Sequence, residues 1–361
     1  MASNIFKSIC YLAHKLELFL NHNIKMYSCF SEQGETILPN SNELHAIINT
    51  GFEPNIFLDS CVCLHIIKVI DYGKKSTNID LNKIIRLKEY LHGHPIKITP
   101  FFGLIELCTK DGQLDKGKLE DFKNRIDFFE QLPLKYFRKF NYNYRENYLI
   151  IKDLGNLPNI YPAIEPQLKN TYCALLKIRS LALRNVTKSA AVSNINNFFD
   201  WMINDLNIIR GTEYQLALNI FGGGTEFRKM IGLDSYGTNA KKKLNGSTWD
   251  IFHGKNASNS FRLFEMLGRN FKPYFLTSDA NLFKIISQIS LTLIKDGREN
   301  FMSSYISNSK FVFPNYDATF LAQQNEKMIK TFVDRRNQKY EFDADKVDKM
   351  IKELEVENQI H

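Results

Sequence analysis

The run Asn-Ile-Phe-Leu-Asp at residues 55–59 restricts this chain more than any other feature. Three large apolar residues with no polar alternation read as a strand buried on both faces, the kind a parallel sheet between helical layers requires. The run stops at a carboxylate, Asp59, and passes into CVCLHIIKVI (61–70), a helical segment. The same order of strand, acid and helix returns in PYFLTSD (273–279) and ANLFKIISQISLTLIK (280–295), the latter read as one helix beginning just past Asp279. Strands that each give way to a helix predict an α/β fold around a central, mainly parallel sheet.

Between these two ends, DLNKIIRLKEYLH (80–92) has a helical period opened by Asp80 as N-cap. IKIT (96–99) alternates as a strand, and Pro100 opens a helix that carries Glu106. KLEDFKNRIDFFEQL, KNTYCALLKIRSLALRNV and SNINNFFDWMINDLNII are helical, the last with Ser193 as cap. A loop around Gly155, Pro158, Pro162 and Pro166 separates the first two. WDIFHGKNASNSFRLFEMLG reads as a helix started by Ser247 or Thr248, with Asp250 in its first turn. A helix is expected over 4–22 and a last short strand at FVF (311–313). The charged, helix-prone tail from 324 is expected on the surface or against a partner. The expected organisation is an N-terminal helical segment (1–50), a discontinuous core (51–110 and 240–300), a large helical insertion (111–239), and a C-terminal strand with a charged helical tail (301–361).

Composition narrows the class. At 361 residues with 44% hydrophobic and 24% charged residues, the chain can bury a substantial core. Its 47 Lys and Arg against 39 Asp and Glu, a net charge of +8, favour polyanionic partners. Cysteines at 10, 29, 61, 63, 108 and 173 lack CxxC spacing, so a zinc cluster is set aside and reduced, buried thiols in a reducing compartment are expected. Lys7, His14, Lys15 and Glu17 interrupt IFKSICYLAHKLELFL, which is read as an amphipathic helix, neither signal peptide nor membrane span. No membrane partner and a cytoplasmic location are expected.

Four acids stand at the punctuation points of these elements: Asp59, Glu106, Asp250 and Asp279. A carboxylate part-buried at the end of a central strand must be paired, protonated or bound to a cation. Sites in open α/β sheets form at the carboxyl ends of the strands, where these acids can meet. With no matched arginine, a hard dication, Mg²⁺ or Mn²⁺, is the simplest shared partner. Each acid also has a local explanation. Asp250 suits a helix first turn, Asp279 suits an N-cap, and Glu106 can pair with Lys110 one turn on. His253, three residues after Asp250, is read as a structural helix histidine, and His65 as core. FGGGTEF (221–227) lacks the residues of a phosphate loop and is read as a turn, and KKK (241–243) as a solvated loop.

The stretches NIFLDSCVCL, KITPFFGLIELC, STWDIFH and YFLTSDANL, in this order, resemble the PIN-like nuclease family. The family pattern falls on Asp59 at a strand end, Glu106 on a helix, Asp250 at a helix opening, and Asp279 in a Thr-x-Asp strand end with Thr277. The resemblance implies a three-layer PIN-like fold, here with a large helical insertion and helical flanks. It also implies Mg²⁺- or Mn²⁺-dependent cleavage of a phosphodiester, usually in RNA. All four acids would then hold metal, and Thr277 would steady a ligand. RNA is favoured over DNA as partner. A toxin or defence role and an inhibitory protein partner or homo-oligomer are compatible with that chemistry. Two rivals are a non-catalytic nucleic-acid-binding protein and a small-substrate phosphoryl hydrolase.

Overall fold

A computed structural model of the chain describes residues 25–27, 39–110, 112–144, 161–257, 260–295, 301–307, 313–335 and 341–360. It is a mixed α/β structure, helical for the most part, and its described residues divide into two compact units. The first is formed by the chain up to Tyr161 together with His253–Phe283, the second by Pro162–Phe252 together with the chain from Lys284 onward. Among the described residues no helix is long and apolar enough to cross a membrane.

The first unit is built on a four-stranded sheet. Strands β2 (Glu53–Leu58), β3 (Lys97–Thr99) and β6 (Phe271–Thr277) run parallel, and β1 (Lys25–Tyr27) pairs antiparallel with β6, giving the order β1-β6-β2-β3. Ile56, Phe57 and Leu58 are buried as the unbroken apolar run requires, and all seven residues of β6 are buried. Each such side chain contributes about 1.5–3 kcal/mol on leaving water. Helix α1 (Ser41–Asn49) precedes β2; α2 (Ser60–Tyr72) and α4 (Phe101–Cys108) follow β2 and β3 as expected, and α3 (Leu81–Gly93) lies between α2 and β3, with Asp80 capping it through the Asn82 amide.

A small hairpin, β4 (Thr109–Lys110) and β5 (Gln113–Leu114), leads into α5 (Lys116–Gln131) and α6 (Leu134–Lys139). Helix α5 belongs to this unit's core, burying Ile126 and Phe129 with Val62, Ile66 and Leu104. The unit thus runs past the expected insertion boundary at 111, because the apolar face of α5 completes the cover over α2 and α4. Two contacts fix the end of α5. Buried Lys88 donates to the carbonyls of Phe129 and Glu130 at 2.6 and 2.7 Å, satisfying the helix C-terminus. The Glu130 carboxylate accepts from the Ile98 amide at 3.1 Å, engaging edge strand β3.

The second unit is largely helical, with α7 (Tyr161–Arg184), α8 (Ala191–Asn204), α9 (Gly211–Phe221), α13 (Ala318–Arg335), α14 (Ala344–Glu357) and the hairpin β7 (Ile289–Lys295) and β8 (Phe301–Ser307). Its interior includes charge that is internally matched. Arg210 pairs with Glu213 at 2.6 Å, Thr171 donates to the same carboxylate at 2.7 Å, and Arg179 donates to the Ile231, Gly232 and Ser235 carbonyls. The Gly222–Gly224 segment is a turn, with Gly223 at φ 106°.

Several local expectations give way. Helix α10 (Gly237–Ala257) starts well before Ser247, so Lys241–Lys243 are helical and Asp250 is deep in the helix; a second helix, α11 (Ser260–Leu267), follows it. Helix α8 begins at Ala191, which removes Ser193 as its cap. Helix α12 (Ala280–Gln288) ends where ISLTLIK turns to β-branched alternation and becomes β7. The tail is not a detached surface element: Val347, Leu354 and Ile360 enter the second unit's core, and Glu355 accepts from Tyr172 at 2.8 Å. The expected helix over 4–22 and residues 311–312 of FVF lie outside the described residues, and Phe313 is buried but not in a strand.

Candidate metal centre

The site begins with strand register. Parallel pairing of Glu53 to Phe271 through Leu58 to Leu276 brings the carboxyl ends of β2 and β6 side by side, and the Asp59 amide donates to the Leu276 carbonyl at 2.9 Å. Asp59 therefore emerges beside Thr277. It is fully buried, where an ionised carboxylate needs several donors to replace water. Thr277 Oγ1 donates to Asp59 Oδ2 at 2.7 Å, and the Ser60 amide donates to Oδ1 at 2.7 Å, making Asp59 the N-cap of α2.

Glu106 arrives from α4, and a glycine makes that possible. A Cβ at Gly103 would lie 2.8 Å from the Leu58 carbonyl oxygen, 3.0 Å from the Asp59 carbonyl carbon and 3.0 Å from Cys63 Sγ. Only hydrogen fits there, so α4 closes onto the end of β2 and carries Glu106, one turn further along, to Asp59. Glu106 does not pair with Lys110. It faces His253 instead, with Oε2 at 3.5 Å from His253 Nδ1. That oxygen is buried with no hydrogen-bond partner among the described residues.

His253 is the residue that sequence reasoning set aside. It lies near the C-terminal end of α10, fully buried, with Nδ1 at 3.4 Å from Asp59 Oδ1 and its ring 6.4 Å from that of Phe102. Ligand atoms of Asp59, Glu106 and His253 all lie within 4.8 Å of one another. Asp250 and Asp279 do not belong to this group. Asp250, half-buried, lies three residues before His253, well inside α10 rather than in its first turn, since the helix starts at Gly237 and not at Ser247. Asp279 directs Oδ1 to the amides of Asn281 and Leu282 at 2.7 and 2.8 Å, which caps α12. It stays linked to the site through one residue, since its amide donates to Thr277 Oγ1 at 3.0 Å. No local signal marked His253, because the residues it meets lie far along the chain, at Asp59 and Glu106.

Electrostatics couple the three groups. Burial raises the Glu106 carboxyl above its ordinary range; the charge of Asp59 adds to this, against the opposing pull of His253 and of a Ser60 hydrogen bond. Burial alone would depress His253. The Asp59 hydrogen bond, the charges of Glu106 and Asp59 and the Phe102 backbone outweigh it, so the imidazole is raised overall. Cys63, pushed well up by burial and by the two carboxylates, stays a neutral thiol in the wall. The described cysteines are in no disulfide, and Cys61, unlike the other three, is exposed.

The donor set fits a dication. Around an ion with bonds of about 2.1 Å, adjacent ligands stand about 3.0 Å apart and opposite ligands about 4.2 Å. The 3.4 and 3.5 Å separations from His253 Nδ1 to the two carboxylates fall within that span. They also exceed the about 2.7–2.9 Å of a tight charge-assisted hydrogen bond, so His253 makes long contacts with both carboxylates. Two carboxylates with one imidazole suit Mn²⁺ better than Mg²⁺, which favours oxygen alone. No family model matches the chain, and no curated protein or solved structure matches it.

Proposed function

We propose that this chain is a divalent-metal-dependent phosphodiester hydrolase with a three-layer PIN-like core, acting as an endoribonuclease and taking RNA in preference to DNA. The observation that carries the reading is the convergence of Asp59, Glu106 and His253 at the carboxyl end of β2. A dication held there supplies Lewis-acid polarisation of a phosphate oxygen and a water of lowered pKa. Thr277 and the Ser60 amide hold the Asp59 carboxylate in one orientation, so it binds without reorganising. Glu106, its carboxyl raised by burial, would offer its buried Oε2 to the same ion. His253 completes the donor set in place of Asp250 and moves the preferred ion from Mg²⁺ toward Mn²⁺. Asp279 acts through Thr277, as a positioning residue.

The test is cleavage of labelled RNA, single-stranded DNA and a chromogenic phosphate ester with Mn²⁺. RNA should be cut fastest, and Asp59→Asn should abolish cutting while RNA still binds. Cleavage that survives both EDTA and Asp59→Asn would sink the proposal, and turnover of the small ester alone would make the chain a phosphoryl hydrolase. One observation favours the second reading, a non-catalytic nucleic-acid-binding protein: the raised His253 imidazole can keep a proton between the two carboxylates. That reading predicts RNA binding with no Mn²⁺ uptake by calorimetry, even at pH 8.

A further inference from the structure

The end of α2 remote from Asp59 carries a second cluster of unlike chemistry. There the turn at Gly73–Lys75 meets the end of α6, with Lys74 Nζ 5.9 Å from the Phe140 ring and Tyr142 donating to the Val69 carbonyl at 2.8 Å. Lys74, Lys75, Lys135 and Lys139 are all exposed here. None of the four pairs with a carboxylate among the described residues. Two acids of this region are matched to arginines, Asp71 to Arg125 and Glu89 to Arg138, each at 2.7 Å, so among the described residues neither offsets the lysine charge. Two large aromatic side chains stand in the same region, Tyr72 at 63% and Tyr136 at 40% exposure, with Lys135 Nζ 4.8 Å from the Tyr136 ring.

The geometry points to this face as a docking surface for single-stranded nucleic acid. Exposed lysines neutralise phosphates, and exposed tyrosines offer faces on which unpaired bases stack regardless of sequence. A lipid surface is the poorer fit, because the exposed aromatics here are tyrosines on short, separate elements rather than the apolar stripe of an interfacial helix. The 13 residues of α2 separate the face from Asp59 by about 20 Å at 1.5 Å per residue. At about 3.4 Å per nucleotide that is a reach of roughly six nucleotides. The face therefore holds the part of a strand that lies outside the metal centre. As an account of substrate capture it rests on the nuclease reading; as a binding surface it does not.

The experiment measures fluorescence anisotropy of a labelled 20-nucleotide oligouridylate on the full chain in EDTA, across a salt series. The quadruple variant Lys74→Ala/Lys75→Ala/Lys135→Ala/Lys139→Ala should bind the long strand roughly tenfold or more weakly. It should also flatten the slope of log K against log salt by about 3, at about 0.7 for each phosphate no longer neutralised. The matching Lys→Arg quadruple should keep the wild-type slope, and Tyr72→Ala/Tyr136→Ala should weaken the long strand roughly fivefold or more with the slope unchanged. An alanine quadruple with the wild-type slope overturns the inference. So does an unchanged oligonucleotide affinity alongside abolished binding to phosphatidylserine vesicles. Flattened slopes in a protein that cleaves nothing would uphold the face and defeat the nuclease reading, whereas intact slopes with Mn²⁺-dependent cleavage would do the reverse.

Discussion

Replacing Gly103 by alanine tests whether the close approach of α4 to β2 builds the site. The added methyl group would meet the Leu58 carbonyl oxygen at 2.8 Å, whereas ordinary contact begins at 3.4 Å, so α4 must retreat by about 3.4 − 2.8 = 0.6 Å. Leu58 O and the Asp59 carbonyl carbon are backbone atoms of a central strand and cannot swing aside. Overpacking of this kind costs about 1–3 kcal/mol, offset by up to about 1 kcal/mol for alanine over glycine within a helix. The net loss of up to about 2 kcal/mol should lower the urea midpoint of the first unit by up to roughly 1 M, followed by circular dichroism. Glu106 moves with the helix, and displacing a ligand's support weakens metal roughly 10–100-fold. Calorimetric titration with Mn²⁺ reads that directly. Wild-type Mn²⁺ affinity and an unchanged urea midpoint in Gly103→Ala would refute the argument that only hydrogen fits there.

Thr277→Val keeps the shape of the side chain but removes the donor to Asp59 Oδ2, so it should cost about 1–3 kcal/mol in the urea transition and weaken Mn²⁺ roughly 10–100-fold. Mn²⁺ affinity should rise with pH, because the proton on the raised His253 competes with the ion; in His253→Gln the dependence measured by calorimetry should flatten. Without metal the sign reverses. The raised His253 stabilises the fold fully below its unfolded value near 6.5, and that contribution is lost as pH climbs through the folded pKa, so urea midpoints of the metal-free protein should fall there. Lys88→Ala strips two carbonyls at the end of α5 of their donor and should lower the urea midpoint by the equivalent of about 1–3 kcal/mol.

What was legible in the sequence was local. An unbroken apolar run ending in a carboxylate placed β2 and Asp59, and Asp80, Pro100 and the helical period placed α3 and α4 with Glu106, since strand burial and capping act within a few residues. The metal centre escaped where its geometry depends on tertiary register. Where α10 begins decides whether Asp250 opens a helix, and the signals at Ser247 and Thr248 could not disclose a start ten residues earlier at Gly237. His253 looked like any buried helix histidine, because its partners are 194 positions away at Asp59 and elsewhere on α4. Asp279 meets the amides of its own helix, the competing local explanation for an acid at that position. The change from α12 to β7 was missed because KIISQ runs straight into ISLTL without Gly or Pro, and only the switch to alternating apolar residues marks the strand.

Anomalous scattering from crystals soaked in Mn²⁺ tests the central claim most directly. The account predicts a single strong peak about 2.1–2.3 Å from carboxylate oxygens of Asp59 and Glu106 and from a ring nitrogen of His253. A centre with no peak, in which His253 Nδ1 closes to about 2.7–2.9 Å on the two carboxylates, would show that a proton fills the place assigned to the ion and would contradict the metal-dependent chemistry built on it.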